Sequence, residues 1–215
     1  MKTELEKLPP EEIERRSFEI IESELPHPLE PELAFIIKRV IHTTADFDYA
    51  DALCFSKTAL ASGLAALRAG ERIVTDTNMA KAGINQGALL KLNTEVLCFM
   101  ADEDVAAAAQ QHGSTRAAAS MDKAASLPGH PIFAIGNAPT ALVRLYELIR
   151  AGLLSPSLII GVPVGFVNVI PSKELIMQTD VPYIVARGRK GGSNVAAAIV
   201  NALMYKLTRS PGGLG

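Results

Sequence analysis

From Arg72 onward the chain alternates short, nearly continuous apolar runs with segments of helical period, and this alternation restricts the fold more than any other feature. The runs are Arg72–Thr75, Glu95–Met100, Pro131–Ile135, Leu158–Val162 and Pro182–Ala186. A strand that is apolar on both sides has to be covered on both sides, which is the habit of parallel sheets. Helical segments around Asp102–Gln110, Thr115–Ala125, Thr140–Arg150, Ser172–Gln178 and Ser193–Leu207 separate most of the runs and can supply that cover. The pattern predicts an α/β fold: a mostly parallel sheet with helices on both faces, preceded by an N-terminal helical segment. A single domain over residues 1–215 is expected, with 1–10 and 210–215 flexible.

The N-terminal segment starts at Pro9-Pro10-Glu11-Glu12, where prolines and then carboxylates suit a helix N-terminus. Ile13, Ile20 and Ile21 mark its expected buried face, and Ser17 shares that face, so its hydroxyl needs a partner. A second helix, about Glu32 to His42, buries Leu33, Ile37, Val40 and Ile41 and carries Phe35, Arg39 and His42 on its other side. Ser56 is an expected N-cap for a helix running to Arg68 and ending at Gly70.

Hydrophobic residues make up 48% of the chain, too many for a disordered segment, and a net charge of −2 gives no basic footprint for nucleic acid or an anionic membrane. The longest apolar run, Ser157 to Pro171, is interrupted by Pro163, Gly165 and Asn168 and falls short of the roughly 20 residues a spanning helix needs. Met1–Lys7 is charged and lacks the apolar core of a signal peptide. Cys54 and Cys98 sit in apolar runs without CxxC spacing and are read as small buried hydrophobes in a reducing, cytoplasmic setting. His27, His42, His112 and His130 form neither HxH nor HxxxH, so no metal site is expected.

Ligands of parallel sheets bind where strands end. Four such exits are rich in glycine, hydroxyl or amide groups: Asp76-Thr77-Asn78-Met79, Gly136-Asn137-Ala138-Pro139-Thr140, Gly161-Val162-Pro163-Val164-Gly165-Phe166-Val167, and Arg187-Gly188-Arg189-Lys190-Gly191-Gly192-Ser193. None is a P-loop or a GxGxxG fingerprint, and no GxSxG elbow is present. Arg39 and His42 lie three residues apart, one helical turn, which puts an anion binder beside a proton carrier. The negative end of the helix dipole favours the imidazolium of His42. Asp46 or Asp48 either orients that ring or caps the next segment, and Arg116 is either a carboxylate clamp or a solvated first-turn charge.

Seven ordered blocks then resemble one family. They are Arg16-Ser17-Phe18-Glu19-Ile20-Ile21, Lys38 through Asp48, Thr75 through Met79, Thr115-Arg116, Gly136 through Leu142, Pro163 through Val167, and Gly188 through Asn194. The chain resembles the precorrin-8X methylmutases from about Arg16 to Leu207. The His42–Asp46 and Gly188–Asn194 blocks are closer to the cobalt-precorrin-8 branch. The resemblance implies an isomerase of corrin ring biosynthesis that moves a methyl group from C-11 to C-12. It implies His42 as catalytic acid/base, with Ser17 and Arg39 at substrate-contacting positions. Arg16, Thr77, Arg116, Asn137, Gly165, Lys173 and Lys190 are further substrate-binding candidates. It also implies no external cofactor, any cobalt being part of the corrinoid substrate, and a homodimer with the pocket near the subunit interface. One departure stands out: Pro171 replaces the glutamate that usually precedes Ser172-Lys173, so no carboxylate role transfers there. A non-catalytic corrinoid-binding or product-carrier protein is the alternative.

Overall fold

A computed structural model describes residues 8–209. The expected flexibility of 1–10 and 210–215 concerns ends that, apart from residues 8–10, lie outside the described residues. In chain order the elements are α1 (Pro10–Glu24), α2 (Ala34–Thr44), α3 (Tyr49–Ala52), β1 (Leu53–Phe55), α4 (Ala59–Arg68), β2 (Ile73–Thr75), α5 (Asn78–Gly83) and α6 (Gln86–Lys91). They continue with β3 (Val96–Leu97), α7 (Glu103–Gln111), α8 (Arg116–Ala125), β4 (Ile132–Ile135), α9 (Pro139–Arg150), β5 (Leu158–Gly161), α10 (Val169–Met177), β6 (Tyr183–Ala186) and α11 (Ser193–Thr208).

The strands form one sheet in the order β1-β6-β5-β4-β2-β3. All neighbours are parallel except β1, which runs antiparallel to β6 with Leu53 opposite Ala186 and Phe55 opposite Ile184. Successive strand residues face opposite sides. Ile132, Ala134, Leu158, Ile160, Ile184 and Ala186 pack with the helices on one face, α2, α4 and α11 among them. Phe133, Ile135, Ile159 and Val185 pack with α8, α9 and α10 on the other. The five apolar runs therefore contain the five parallel strands, and the two-sided burial of the central β4 and β5 explains why no polar residue interrupts those two. Ten of the residues of α11 are buried, because it lies between the sheet and α2. A helix covered that thoroughly is apolar over most of its circumference, and of its residues only Asn194 and Lys206 stay exposed.

β1 is missing from the sequence expectation: three residues with half-buried Cys54 in the middle give too short a signal. Ser56 does not cap α4 but extends this edge pairing, its hydroxyl accepting from Tyr183 N at 3.0 Å. Cys54 and Cys98 are half-buried free thiols rather than fully buried ones. On α1, Phe18 and Ile21 face the core, whereas Ile13 and Ile20 stay 54% and 38% exposed. The polar partner that Ser17 needs is the Ile13 carbonyl, 2.8 Å away.

Candidate functional site

The parallel strands all end on one side of the sheet, and the marked exits meet there. The chain order reverses between β2 and β4, the switch point where open sheets leave a crevice. Asp76, fully buried just past β2, accepts from the amides of Gly136 at 2.9 Å, Asn137 at 2.8 Å and Ala138 at 2.6 Å. Burial pushes its carboxyl above the usual range, against these three donors, which favour the ionised form. Thr77 caps α5 by accepting from Ala80 N, and its hydroxyl is also 2.7 Å from that of Ser193 at the start of α11. Gly136 permits this contact. A Cβ there would sit 2.7 Å from Gly192 O and 2.7 Å from Ser193 Cα. Gly136→Ala is accordingly expected to cost about 2 kcal/mol, the scale of an overpacked core, seen as a lowered Tm.

The β6 exit is held from two sides. Lys173 on α10 is fully buried, and its ammonium donates to Gly188 O and Lys190 O, both at 2.9 Å. Burial lowers its pKa to about 8. Lys190 pairs with Asp46 at 2.7 Å and with Asp48, so this exit is tied to the turn that follows α2. The hydrogen bonds to those carboxylates keep the Lys190 ammonium firmly charged. Neither aspartate orients His42, and Asp48 makes no capping bond to α3. Lys173 thus shapes the loop from within. Pro171, in the first turn of α10, costs no helical bond because the first amides of a helix have no partner there.

Replacing Lys173 by methionine is expected to lower stability by about 2 kcal/mol, since two carbonyls lose their donor while a buried charge is relieved. A pH test separates the two effects. Between pH 8 and 10.5 the unfolded lysine holds a proton that the folded one has lost, so this group adds stability as pH rises through that window. Denaturant titrations should show that increment in the parent and not in Lys173→Met.

α2 ends with Ala45 in the left-handed conformation (φ 53°), its amide bonded to Ile41 O at 2.7 Å. This brings His42 over α1. His42 and Ser17 line one cleft of about 360 Å³ together with Ile20, Ile21, Glu24, Ile41, Ala45 and Phe47. The imidazole stacks on Phe18, ring centroids 5.2 Å apart and planes 17° apart. Arg39 lies under the surface, its Cζ 4.8 Å from the Phe18 centroid and 5.2 Å from that of Tyr205. One terminal nitrogen pairs with Glu14, which also reaches Arg209 at 3.3 Å. The other two nitrogens of Arg39, Nε and Nη2, are buried without a hydrogen-bond partner among the described residues, and the two aromatic faces supply part of what they lack.

These charges set the protonation states. Burial of Glu14 would raise its carboxyl, but the bond and charge of Arg39, with Arg209, outweigh that and leave it lowered. For His42, burial first and the Arg39 charge second push the pKa below 6.5, with Glu14 pulling weakly the other way. These influences oppose the helix-end argument for an imidazolium and favour the neutral ring. Arg39, expected on an outward face, is instead packed behind the ring.

Ser17 and His42 are brought together, with Arg39 behind them and Lys190 at the foot of α2. Arg16 is half-exposed on α1 and lies 3.8 Å from Glu19. Thr77, Arg116, Asn137, Gly165 and Lys173 do not line the cleft of His42. Arg116 and Asn137 are exposed, and Gly165, at φ 144°, donates its amide to Arg189 O. A larger hollow of about 640 Å³ between the α7–α8 turn and α9 holds Arg144 already paired with Asp122 and Glu147. Glu14 and Tyr205 are participants that the sequence reading does not name, and Phe18 and Asp76 lie in its marked blocks without a role of their own. The four-residue spacing of Glu14 and Phe18 was visible, but their partners on α2 and α11 were not.

Comparison with known proteins decides the family. The precorrin-8X methylmutase family model matches residues 12–206. The chain belongs to the precorrin-8X methylmutase family. It is 48% identical to the cobalt-precorrin-8 methylmutase of Salmonella typhimurium, over 92% of this chain and 96% of that one. It is 44% identical to the cobalt-precorrin-8 methylmutase of Priestia megaterium, over 90% and 87% respectively. The crystal structure of the precorrin-8X methylmutase from Thermus thermophilus superposes with a TM-score of 0.85 at 40% identity, covering 94% of this chain and 99% of that one. The fold of this methylmutase is therefore the fold expected from its strand pattern, with the edge strand β1 added.

Proposed function

We propose that this methylmutase converts cobalt-precorrin-8, or its metal-free counterpart precorrin-8X, by moving the C-11 methyl group to C-12, with His42 as the proton donor and acceptor. The carrying observation is that His42 and Ser17, on two different helices, open into one cleft. The migrating methyl stays on the ring, so no leaving group needs activation. What the protein supplies is a proton for the conjugated macrocycle and donors for the altered charge. Ser17 then hydrogen-bonds the ring periphery and Arg16 and Arg116 offer guanidinium groups to the acetate and propionate arms, while Arg39, buried and paired with Glu14, acts through its charge on His42. Thr77, Asn137 and Gly165 lie at the strand exits, outside the cleft of His42, and Lys173 and Lys190 keep the last exit in shape. No external cofactor takes part in this scheme, and cobalt enters only inside the substrate.

A His42 biased toward its neutral form fits a substrate that brings its own negative charge. Carboxylates arriving near the ring favour the imidazolium, so the acid is formed where and when it is used. The expected signature is a kcat/KM that rises as pH falls below 6.5, with kcat holding its protonated plateau to higher pH than kcat/KM. Ile13 and Ile20 remain exposed on α1 beside the cleft. A second copy covering them would close the site, which supports a homodimer with the pocket near the subunit interface. The preference for the cobalt substrate rests on the cobalt-precorrin-8 methylmutases among the relatives, and a cytoplasmic location suits such a biosynthetic step. No helix among the described residues is long and apolar enough to cross a membrane.

Incubating the purified protein with cobalt-precorrin-8 and with precorrin-8X in separate anaerobic cuvettes tests the activity and the branch together. Conversion of the absorption spectrum to that of the corresponding byrinate is the expected result. Tight binding with no spectral conversion of either compound would defeat the isomerase reading.

A further inference from the structure

A histidine that carries a proton is usually aimed by a hydrogen bond from its far nitrogen to a carboxylate or carbonyl. His42 makes no such bond to a described residue. Among the described residues neither ring nitrogen has a hydrogen-bond partner, and the nearest aspartates along the chain, Asp46 and Asp48, are taken up by Lys190. What touches the ring is the parallel face of Phe18. The same phenyl ring meets the Arg39 guanidinium, whose position is set in turn by Glu14 and by the cover of Tyr205. Arg209 completes the set, its Cζ 3.7 Å from the Tyr205 centroid and its Nη1 on Glu14.

We propose that Phe18 and Glu14 are positioning residues for His42: Phe18 holds the plane of the imidazole, and Glu14 holds the Arg39 guanidinium beside it. This inference rests on the reading of His42 as the proton carrier. Aiming by stacking leaves both ring nitrogens open, one toward the substrate and the other toward water, so the ring can lose and regain its proton without breaking an internal bond. The charged groups that bear on His42 are Arg39 on its own helix and, from α1, Glu14 behind it and Glu24 in the shared cleft. From α11 and just beyond, Tyr205 and Arg209 act through Arg39 and Glu14. Exchanging Glu14 for an uncharged residue leaves the Arg39 charge without its counterweight, so the ring should become harder to protonate.

The test follows the C2 proton of His42 by NMR in the full-length protein, its resonance assigned by its loss in His42→Gln. Phe18→Leu should remove the ring-current shift of that resonance and lower kcat about 10- to 100-fold with a smaller change in KM, the scale of a misaimed catalytic group. Phe18→Tyr should restore most of both. Glu14→Gln, at a half-buried position where the amide oxygen can still accept from Arg39, should move the His42 titration and the kcat/KM profile to lower pH, and Glu14→Asp should move them back. If Phe18→Leu does not fold, the Glu14 pair decides. An unmoved His42 titration and kcat in Glu14→Gln, together with an inactive His42→Gln, would overturn the positioning roles while leaving the proton carrier in place. Full turnover by His42→Gln would instead remove the reading on which the inference stands.

Discussion

His42→Ala is expected to lower turnover of cobalt-precorrin-8 by about 100- to 10,000-fold, the usual worth of a placed general acid. The side chain lies at an exposed cleft and makes no hydrogen bond to a described residue, so the fold and the substrate affinity should largely survive. The loss should therefore fall on kcat and not on KM. A substituted ring also sharpens the pH argument: the variant should lose the acid limb that the parent shows below pH 6.5. Stopped absorption measurements under anaerobic conditions, with circular dichroism as the control for folding, give both numbers. A kcat within about threefold of the parent in a folded variant would rule His42 out as the proton carrier.

Asp76→Ala should give the largest loss of stability, about 3–5 kcal/mol. Its carboxylate is the shared acceptor for three successive amides, those of Gly136, Asn137 and Ala138, in a place water does not reach. Stranding a buried donor costs about 1–3 kcal/mol, and losses at adjacent groups do not add fully. Removing a carboxyl that burial already disfavours returns part of the cost. For a chain of this length the result is a Tm lowered by roughly 10 °C. Asp76→Asn keeps one acceptor but turns an amide hydrogen toward those donors, so it should fall between the two. Calorimetry that finds Asp76→Ala as stable as the parent would show that the β4 exit is held by the contact of Gly136 with α11 alone.

The sheet could be read in the sequence because its strands are parallel and doubly covered: Ile132–Ile135 and Leu158–Gly161 are buried at every position, and continuous apolar runs are easy to see. β1 could not, since an edge strand of three residues needs only one good neighbour and its sequence need not advertise it. The short helices α5 and α6 were missed for a similar reason, being too brief to show a period. At the site, helical spacing did place Arg39 and His42 on one side, where both meet Phe18. It could not say that this side faces another helix rather than solvent. Burial, not sequence distance, decided that Arg39 sits behind the ring and that Lys173 supports a loop. Both outcomes depend on residues far away in the chain.

The pairing of β1 with β6 has a consequence for how the molecule comes into being. The helix that carries His42 is separated by most of the described residues from its supports, β6, Lys190 and α11. Without them α2 lacks the surface of α11 and Arg39 has no Tyr205 to cover it. Non-local closure of this kind is slow, because the intervening chain has to be gathered first. A chain without α11 would hold His42 without the Tyr205 cover of Arg39 that shapes its surroundings.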